Sequence, residues 1–226
     1  MSNILIVESE NDQYFAEAVI DHLKYRDIRI NPPIIDHFET MRGLDHHKLV
    51  GALLTAKRES LKGTGPRKIG IMIDLDNRGV QDRLSLVNQA VLEALKPTEQ
   101  IESIGQFINV DLDKKKHAKV GCYFTNVDGK GDLETVLRRI KSKESLQADC
   151  LDSWRECIGP EAISDKNFDK LWVQFYQRWD CCKGRDRNQA ARKCDNKASM
   201  NKGIYDYDHE ILTGMRAFLK YMDKND

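Results

Sequence analysis

Lys68-Ile69-Gly70-Ile71-Met72-Ile73-Asp74-Leu75-Asp76 is the stretch that decides the fold. An apolar run of strand length with no polar alternation reads as a strand buried on both faces. This one ends abruptly in two carboxylates. Near the start of the chain Ile4-Leu5-Ile6-Val7 closes in the same way, on Glu8. Between and around these runs the apolar spacing changes to that of helices. Tyr14, Phe15, Ala18, Val19 and Leu23 predict a helix over 11–24, after the cap candidates Ser9 to Asp12. Leu44, Leu49, Ala52, Leu53 and Ala56 predict one over 43–60, and a third follows over 80–95. Ile28 to Ile35 reads as extended and bent at Pro32-Pro33, ahead of the loop Gly63 to Pro66. Gln106–Val110 and Val120–Thr125 are further strands, with a charged turn at Asp113 to Lys116 between them and a helix at Leu133–Ile140 after them.

Strands alternating with helices imply a mainly parallel sheet covered on both faces. The expected fold class is therefore α/β, with a Rossmann-like sheet flanked by helices over residues 1–144. From residue 145 the strand signals stop. Trp154, Phe168, Leu171, Trp172, Phe175, Tyr176 and Trp179 fall in helix-like segments, and Tyr207 to Met222 is helical in pattern. Residues 145–226 are read as a C-terminal helical extension packed on the α/β domain.

The 226 residues carry 36 basic and 36 acidic side chains, so no global positive field draws in a polyanion. A nucleic-acid partner must then be held by a local patch or through metal. The opening MSNILIVESE lacks a cationic segment followed by a long apolar one, and no run reaches membrane-spanning length; a cytoplasmic protein is expected. Cys122, Cys150, Cys157, Cys181, Cys182 and Cys194 show no CxxC spacing and are expected as reduced thiols.

In an open α/β sheet, ligands bind outside the carboxyl ends of the strands. Asp74 and Asp76, two apart on extended backbone, leave the same face. Carboxylates side by side repel unless a cation lies between them. Glu8, Asp74 and Asp76 are thus candidates for a divalent cation with hard oxygen ligands, Mg2+ or Mn2+.

ILIVESENDQYFAEAVIDHL with KIGIMIDLDNRG resembles the TOPRIM superfamily, the catalytic domain of topoisomerases, bacterial primases and OLD-family nucleases. Its first motif is matched by Val7, Glu8 and Asp12, and its DxD motif by Asp74 and Asp76; Ser9 stands where glycine is frequent. Asp128-Gly129-Lys130-Gly131-Asp132-Leu133-Glu134 resembles the G-x-L-E segment of small stand-alone relatives of the OLD nucleases. The resemblance spans residues 3 to about 140. It implies that Glu8, Asp74 and Asp76 bind magnesium and are catalytic, and that Glu134 is a further metal ligand. It also implies phosphodiester chemistry on DNA or RNA, with Glu8 available for proton transfer. Lys57, Arg58, Arg67, Lys68 and Arg78 are candidates to steady a phosphate.

Gly63-Thr64-Gly65-Pro66-Arg67-Lys68 lacks the spacing of a nucleotide-binding P-loop, so any ATPase is a separate partner. The segment 183–202 is rich in basic residues, and Lys183, Arg185, Arg187, Arg192 and Lys193 are candidate nucleic-acid contacts. Zinc binding by Cys181, Cys182, Cys194 and His209 would match no standard spacing, and the neighbours His46-His47 point in different directions. Two other readings remain open: a catalytically degenerate TOPRIM module that binds nucleic acid or a protein, and a receiver-like phosphoacceptor domain suggested by ILIVESE.

Overall fold

The computed structural model describes residues 3–31, 46–61 and 67–223. A five-stranded sheet has the order β2-β1-β3-β5-β4, formed by β1 (Asn3–Val7), β2 (Ile28–Ile30), β3 (Lys68–Asp74), β4 (Phe107–Asp111) and β5 (His117–Thr125). β1 pairs parallel to β2 and β3, and β3 parallel to β5; only β4 is antiparallel, against β5. Receiver domains of the doubly wound type have the order 2-1-3-4-5, and this sheet departs from it at its last two strands. The mainly parallel α/β sheet expected from the sequence is present. Pro32 to Ile35, Leu44 and Gly63 to Pro66 lie outside the described residues.

The alternation along β1 and β3 sends successive side chains to two separate apolar layers. Ile4, Ile6, Ile69, Ile71 and Ile73 pack under α2 (His46–Leu61) and α3 (Val80–Leu95), with Leu49, Leu53, Leu84, Val87 and Val91. Leu5, Val7, Met72 and Tyr123 face the other way, onto Phe15 and Val19 of α1 (Glu10–His22). That second layer also holds Trp172 of α6 (Asp165–Phe175) and Phe218 and Met222 of α9 (Thr213–Asp223). The helical extension therefore builds one wall of the core.

The contact of α9 with the sheet is close. A Cβ on Gly70 would stand 3.0 Å from both Met222 Sδ and Phe218 Cζ. Phe218 stacks on Phe107 with centroids 5.3 Å apart. The buried Lys68 ammonium donates to Tyr221 O (2.8 Å), and Asp223 Oδ1 accepts from the amides of Arg26 and Asp27 (2.9 Å each). Around the remaining helices of the extension, α5 (Leu146–Ile158), α7 (Ala190–Lys193) and α8 (Asn196–Met200), the chain is short and irregular. α6 continues into a π-helical turn over Tyr176–Cys181.

Cys182 and Cys194 are joined, with Cα atoms 5.9 Å apart. This corrects the expectation of six reduced thiols, because the fold closes the loop between two cysteines that stand 12 residues apart. Cys122, Cys150, Cys157 and Cys181 are free.

Candidate metal centre

The carboxyl ends of β1 and β3 lie side by side because Val7 is in register with Met72. Glu8 follows β1, and its Oε2 accepts a hydrogen bond from the Asp74 amide at 3.2 Å. Asp74 ends β3, and its Oδ1 accepts from the Leu133 amide (3.1 Å) at the start of α4 (Leu133–Arg139). Asp76 sits in the left-handed region, φ 55°, which aspartate tolerates better than most residues. It exchanges backbone hydrogen bonds with Gly131: Asp76 N to Gly131 O, 2.8 Å, and Gly131 N to Asp76 O, 3.2 Å. Gly131 has φ 89°, and a Cβ there would lie 2.6 Å from Thr135 Oγ1, so this crossing of two loops requires glycine.

The crossing delivers a residue that the sequence does not single out. Asp132 is 1% exposed and caps α4, its Oδ1 accepting from Thr135 N at 3.2 Å. One carboxylate oxygen from each of Asp74, Asp76 and Asp132 lies within 4.8 Å of the others. Asp132 Oδ2 is buried without a hydrogen-bond partner; the Lys166 ammonium is 3.7 Å away. Glu8 and Glu134 border this trio and are not members of it. Among the described residues no other group of this kind forms, and none includes cysteine or histidine. His209 instead accepts from the Ile211 amide (3.3 Å), and His46 pairs with Glu93 (2.7 Å).

Asp12 completes the acidic surroundings and explains Ser9. The Ser9 amide donates to Asp12 Oδ2 (2.9 Å), and the Ser9 hydroxyl and the Asp12 amide meet in return, forming a capping box on α1. Serine therefore stands in the glycine position as a helix cap. Asp12 Oδ1 is buried without a hydrogen bond.

Burial of so many carboxyl groups moves their protonation. Asp74 is raised well above the ordinary range by desolvation first, then by the charges of Asp12, Glu8, Asp132 and Glu134. Desolvation, with Glu8 and Glu134 adding to it, pushes Asp12 up to about 7. Glu8 is raised by burial, against the opposing Arg83 charge, and Glu134 by burial and Asp132.

Two cations answer this charge, and neither was among the candidates from the sequence. Arg83 of α3, 2% exposed, donates to Asp76 Oδ2 (2.5 Å) and to Leu75 O (3.4 Å). Lys166, in the first turn of α6, donates to Asp76 Oδ1 (2.5 Å). Burial works against its charge, but the hydrogen bond and charge of Asp76, backed by Asp132 and Asp74, hold the ammonium above its usual range. Lys166 is 90 residues from Asp76, so only the packing of the extension brings them together. A cavity of about 260 Å³ opens here, lined by Asp76, Lys130, Asp132 and Lys166 among others.

The phosphate candidates from the sequence are elsewhere. β3 spans about 20 Å from Lys68 to Asp74, which puts Arg67 and Lys68 at the opposite edge of the sheet. Lys57 donates to Ala94 O at the end of α3 (3.5 Å), facing away from the carboxylates. Arg58 lies on the same last stretch of α2, and Arg78 is exposed in the loop after Asp76. Of the basic segment, Arg187 is folded back onto Cys182 O (3.1 Å) and Trp179 O (2.9 Å). Lys183, Arg185, Arg192 and Lys193 are exposed.

Fold and site define a class: an α/β protein with an all-carboxylate centre at the carboxyl edge of a mainly parallel sheet. The chain belongs to the family described as a protein of unknown function (DUF3226), whose model matches residues 2–222. No curated protein and no solved structure matches the chain. Among the described residues no helix is long and apolar enough to cross a membrane.

Proposed function

We propose that this chain is a TOPRIM-like, Mg2+-dependent nuclease that hydrolyses phosphodiesters of DNA or RNA. The observation that carries the reading is the convergence of Asp74, Asp76 and Asp132 within 4.8 Å, with Asp132 Oδ2 buried and lacking a hydrogen bond. A buried carboxylate oxygen with no hydrogen bond, and only the Lys166 ammonium at 3.7 Å, costs free energy that a closer cation offsets. A donor set made only of carboxylate oxygens suits Mg2+ or Mn2+ rather than a softer metal. Asp74, Asp76 and Asp132 would hold the ion, with Glu8 and Glu134 beside it. When bound, such an ion neutralises charge on the phosphate and activates water as the nucleophile.

The chain's own groups do the rest. Lys166, which lines the cavity, would supply a positive charge for a phosphate oxygen. Arg83 stays with Leu75 O and keeps the 74–76 loop in place. Glu8, with one oxygen committed to the Asp74 amide, is assigned to proton transfer.

A degenerate, non-cutting module is favoured by one observation: both oxygens of Asp76 are already engaged, by Arg83 and Lys166. Titration calorimetry with Mn2+ and a cleavage assay on single-stranded DNA, duplex DNA and RNA separate the two readings. The nuclease reading expects Mn2+ binding and cleavage by the wild type, both lost in Asp74→Asn and Asp132→Asn. Wild-type protein that binds no metal and cuts none of the substrates would refute it.

A further inference from the structure

The extension carries a second depression, of about 790 Å³, between the segment 143–147 and the turn Tyr176–Cys181. The π-helical turn interrupts the helical ladder. It carries Trp179, 37% exposed where Trp172, seven residues earlier, is fully buried. Two guanidiniums flank the indole, Arg178 at 5.5 Å from the ring and Arg187 at 5.2 Å; Arg187 lines the cleft beside the ring and is fixed by the carbonyls of Cys182 and Trp179. The Cys182–Cys194 link adjoins the same turn, so the ring stands on a braced platform.

The charges around the ring are unequal in their freedom. Asp180 is committed to the amides of Gln147 and Ala148, at 2.9 Å each. Asp186 faces Lys202 at 3.9 Å. Lys143, Lys183 and one carboxylate, Glu144, line the cleft, are exposed, and have no ion pair among the described residues. An exposed indole beside two uncommitted ammonium groups suits a planar base joined to phosphate.

The cleft is also the last of three depressions. The cavity at Asp76 and Asp132 shares Thr135, Arg138 and Asp169 with a second, of about 430 Å³, that reaches Arg139 and Lys141. Lys143 and Gln147 of the Trp179 cleft belong to the same stretch of chain as Lys141 and Asp149 of the second. Cations recur along all three beside carboxylates; in the middle one Arg138 is paired with Asp152 and Asp169, and Lys141 with Asp149.

We propose that the Trp179 cleft binds single-stranded nucleic acid, seating an unpaired base on the indole and the adjoining phosphates on Lys143 and Lys183. The choice of a strand over a free nucleotide rests on the nuclease reading; the base-and-phosphate chemistry of the cleft does not. A duplex keeps its bases stacked inside and offers the indole no free face.

The test is fluorescence anisotropy with labelled dT and rU strands about 12 nucleotides long, enough for one site of the usual size, in EDTA so that no cleavage intervenes. Trp179→Ala should weaken binding about 10-fold, a typical loss for one stacked base, and Trp179→Phe should restore most of it. Lys143→Ala with Lys183→Ala should lower the slope of log K against log salt by about 1.4, since each phosphate on a single strand contributes ~0.7. These surface lysines report even if Trp179→Ala fails to fold. Wild-type-like binding by the tryptophan and lysine variants overturns the proposal. So does no binding at all, equal competition by a duplex of the same length, or displacement by AMP as effective as by the strand. Binding that depends on Trp179 in a protein that cuts nothing refutes the nuclease reading alone. Cleavage without such binding refutes the cleft alone.

Discussion

Replacing Asp12 by asparagine should stabilise the metal-free protein, and should do so only above acidic pH. Asp12 is buried, its Oδ1 unpaired, with Glu8 and Glu134 close enough to help raise its pKa from 3.8 to about 7. The native state therefore holds a proton on this group, between about pH 4 and 7, that the unfolded chain has released. More protons bound by the native state means that stability falls as pH rises through that window and is flat above it. At ~1.4 kcal/mol per pH unit the loss attributable to Asp12 is at most about 4 kcal/mol. Because Glu8, Asp74 and Glu134 share the burden, about 2 kcal/mol is the expected size. Asparagine keeps an oxygen for the Ser9 amide and puts a donor where the unpaired oxygen was. Urea unfolding in EDTA, at about pH 4 and about pH 8, measures the difference between variant and wild type on either side of the window. It should be near zero at the acidic end and about 2 kcal/mol in favour of the Asp12→Asn variant at the alkaline end, shrinking when Mg2+ is added. A difference of equal size at both pH values, or one favouring the wild type at the higher pH, would show that Asp12 carries no charge penalty.

Three other outcomes are expected. Arg83→Met removes the buried partner of Asp76, which keeps Lys166, and should cost roughly 1–3 kcal/mol in urea unfolding; a loss under about 0.5 kcal/mol would mean that this pair is incidental. Gly70→Ala forces a methyl against Phe218 and Met222 and should cost about 1–3 kcal/mol. A neutral result there would place α9 away from β3. Cys194→Ser opens the loop to Cys182 and should cost about 3 kcal/mol. That deficit should appear on thermal melts without reductant and vanish with it, since the reduced wild type has lost the same link.

The sheet was legible where burial left a one-signal record. β1 and β3 are apolar on both faces, so Ile4 to Val7 and Ile69 to Ile73 could hardly be read otherwise, and the acids that end them followed. Asp74 and Asp76 fall in the trio, while Glu8 and Glu134 stand beside it. Asp132 escaped because its local job, capping α4, already accounts for an aspartate before Leu133; its second role exists only once Gly131 crosses Asp76. Arg83 reads as one more polar position on an amphipathic helix. Lys166 has no local signal, being one lysine of a charged helix start 90 residues away. The Cys182–Cys194 link escaped because a spacing of 12 fits no motif and depends on how the short helical segments between the two cysteines fold.

The placement of α9 on the sheet sets a schedule for folding during synthesis. β1, β3 and β5 can pair under α2 and α3 as soon as β5 has left the ribosome, but on their other face α1 covers only part of the layer until Phe218 and Met222 arrive. The chain runs on from the end of β5 at Thr125 through the whole of the extension before α9 starts at Thr213. At ~5–20 residues per second, those roughly 90 residues take about 4–18 s, during which the parts of Leu5, Met72 and Tyr123 not covered by α1 face solvent or a chaperone. Lys166 meets Asp76 within the same interval, so the carboxylate centre and the apolar wall mature together, late, and from the same part of the chain.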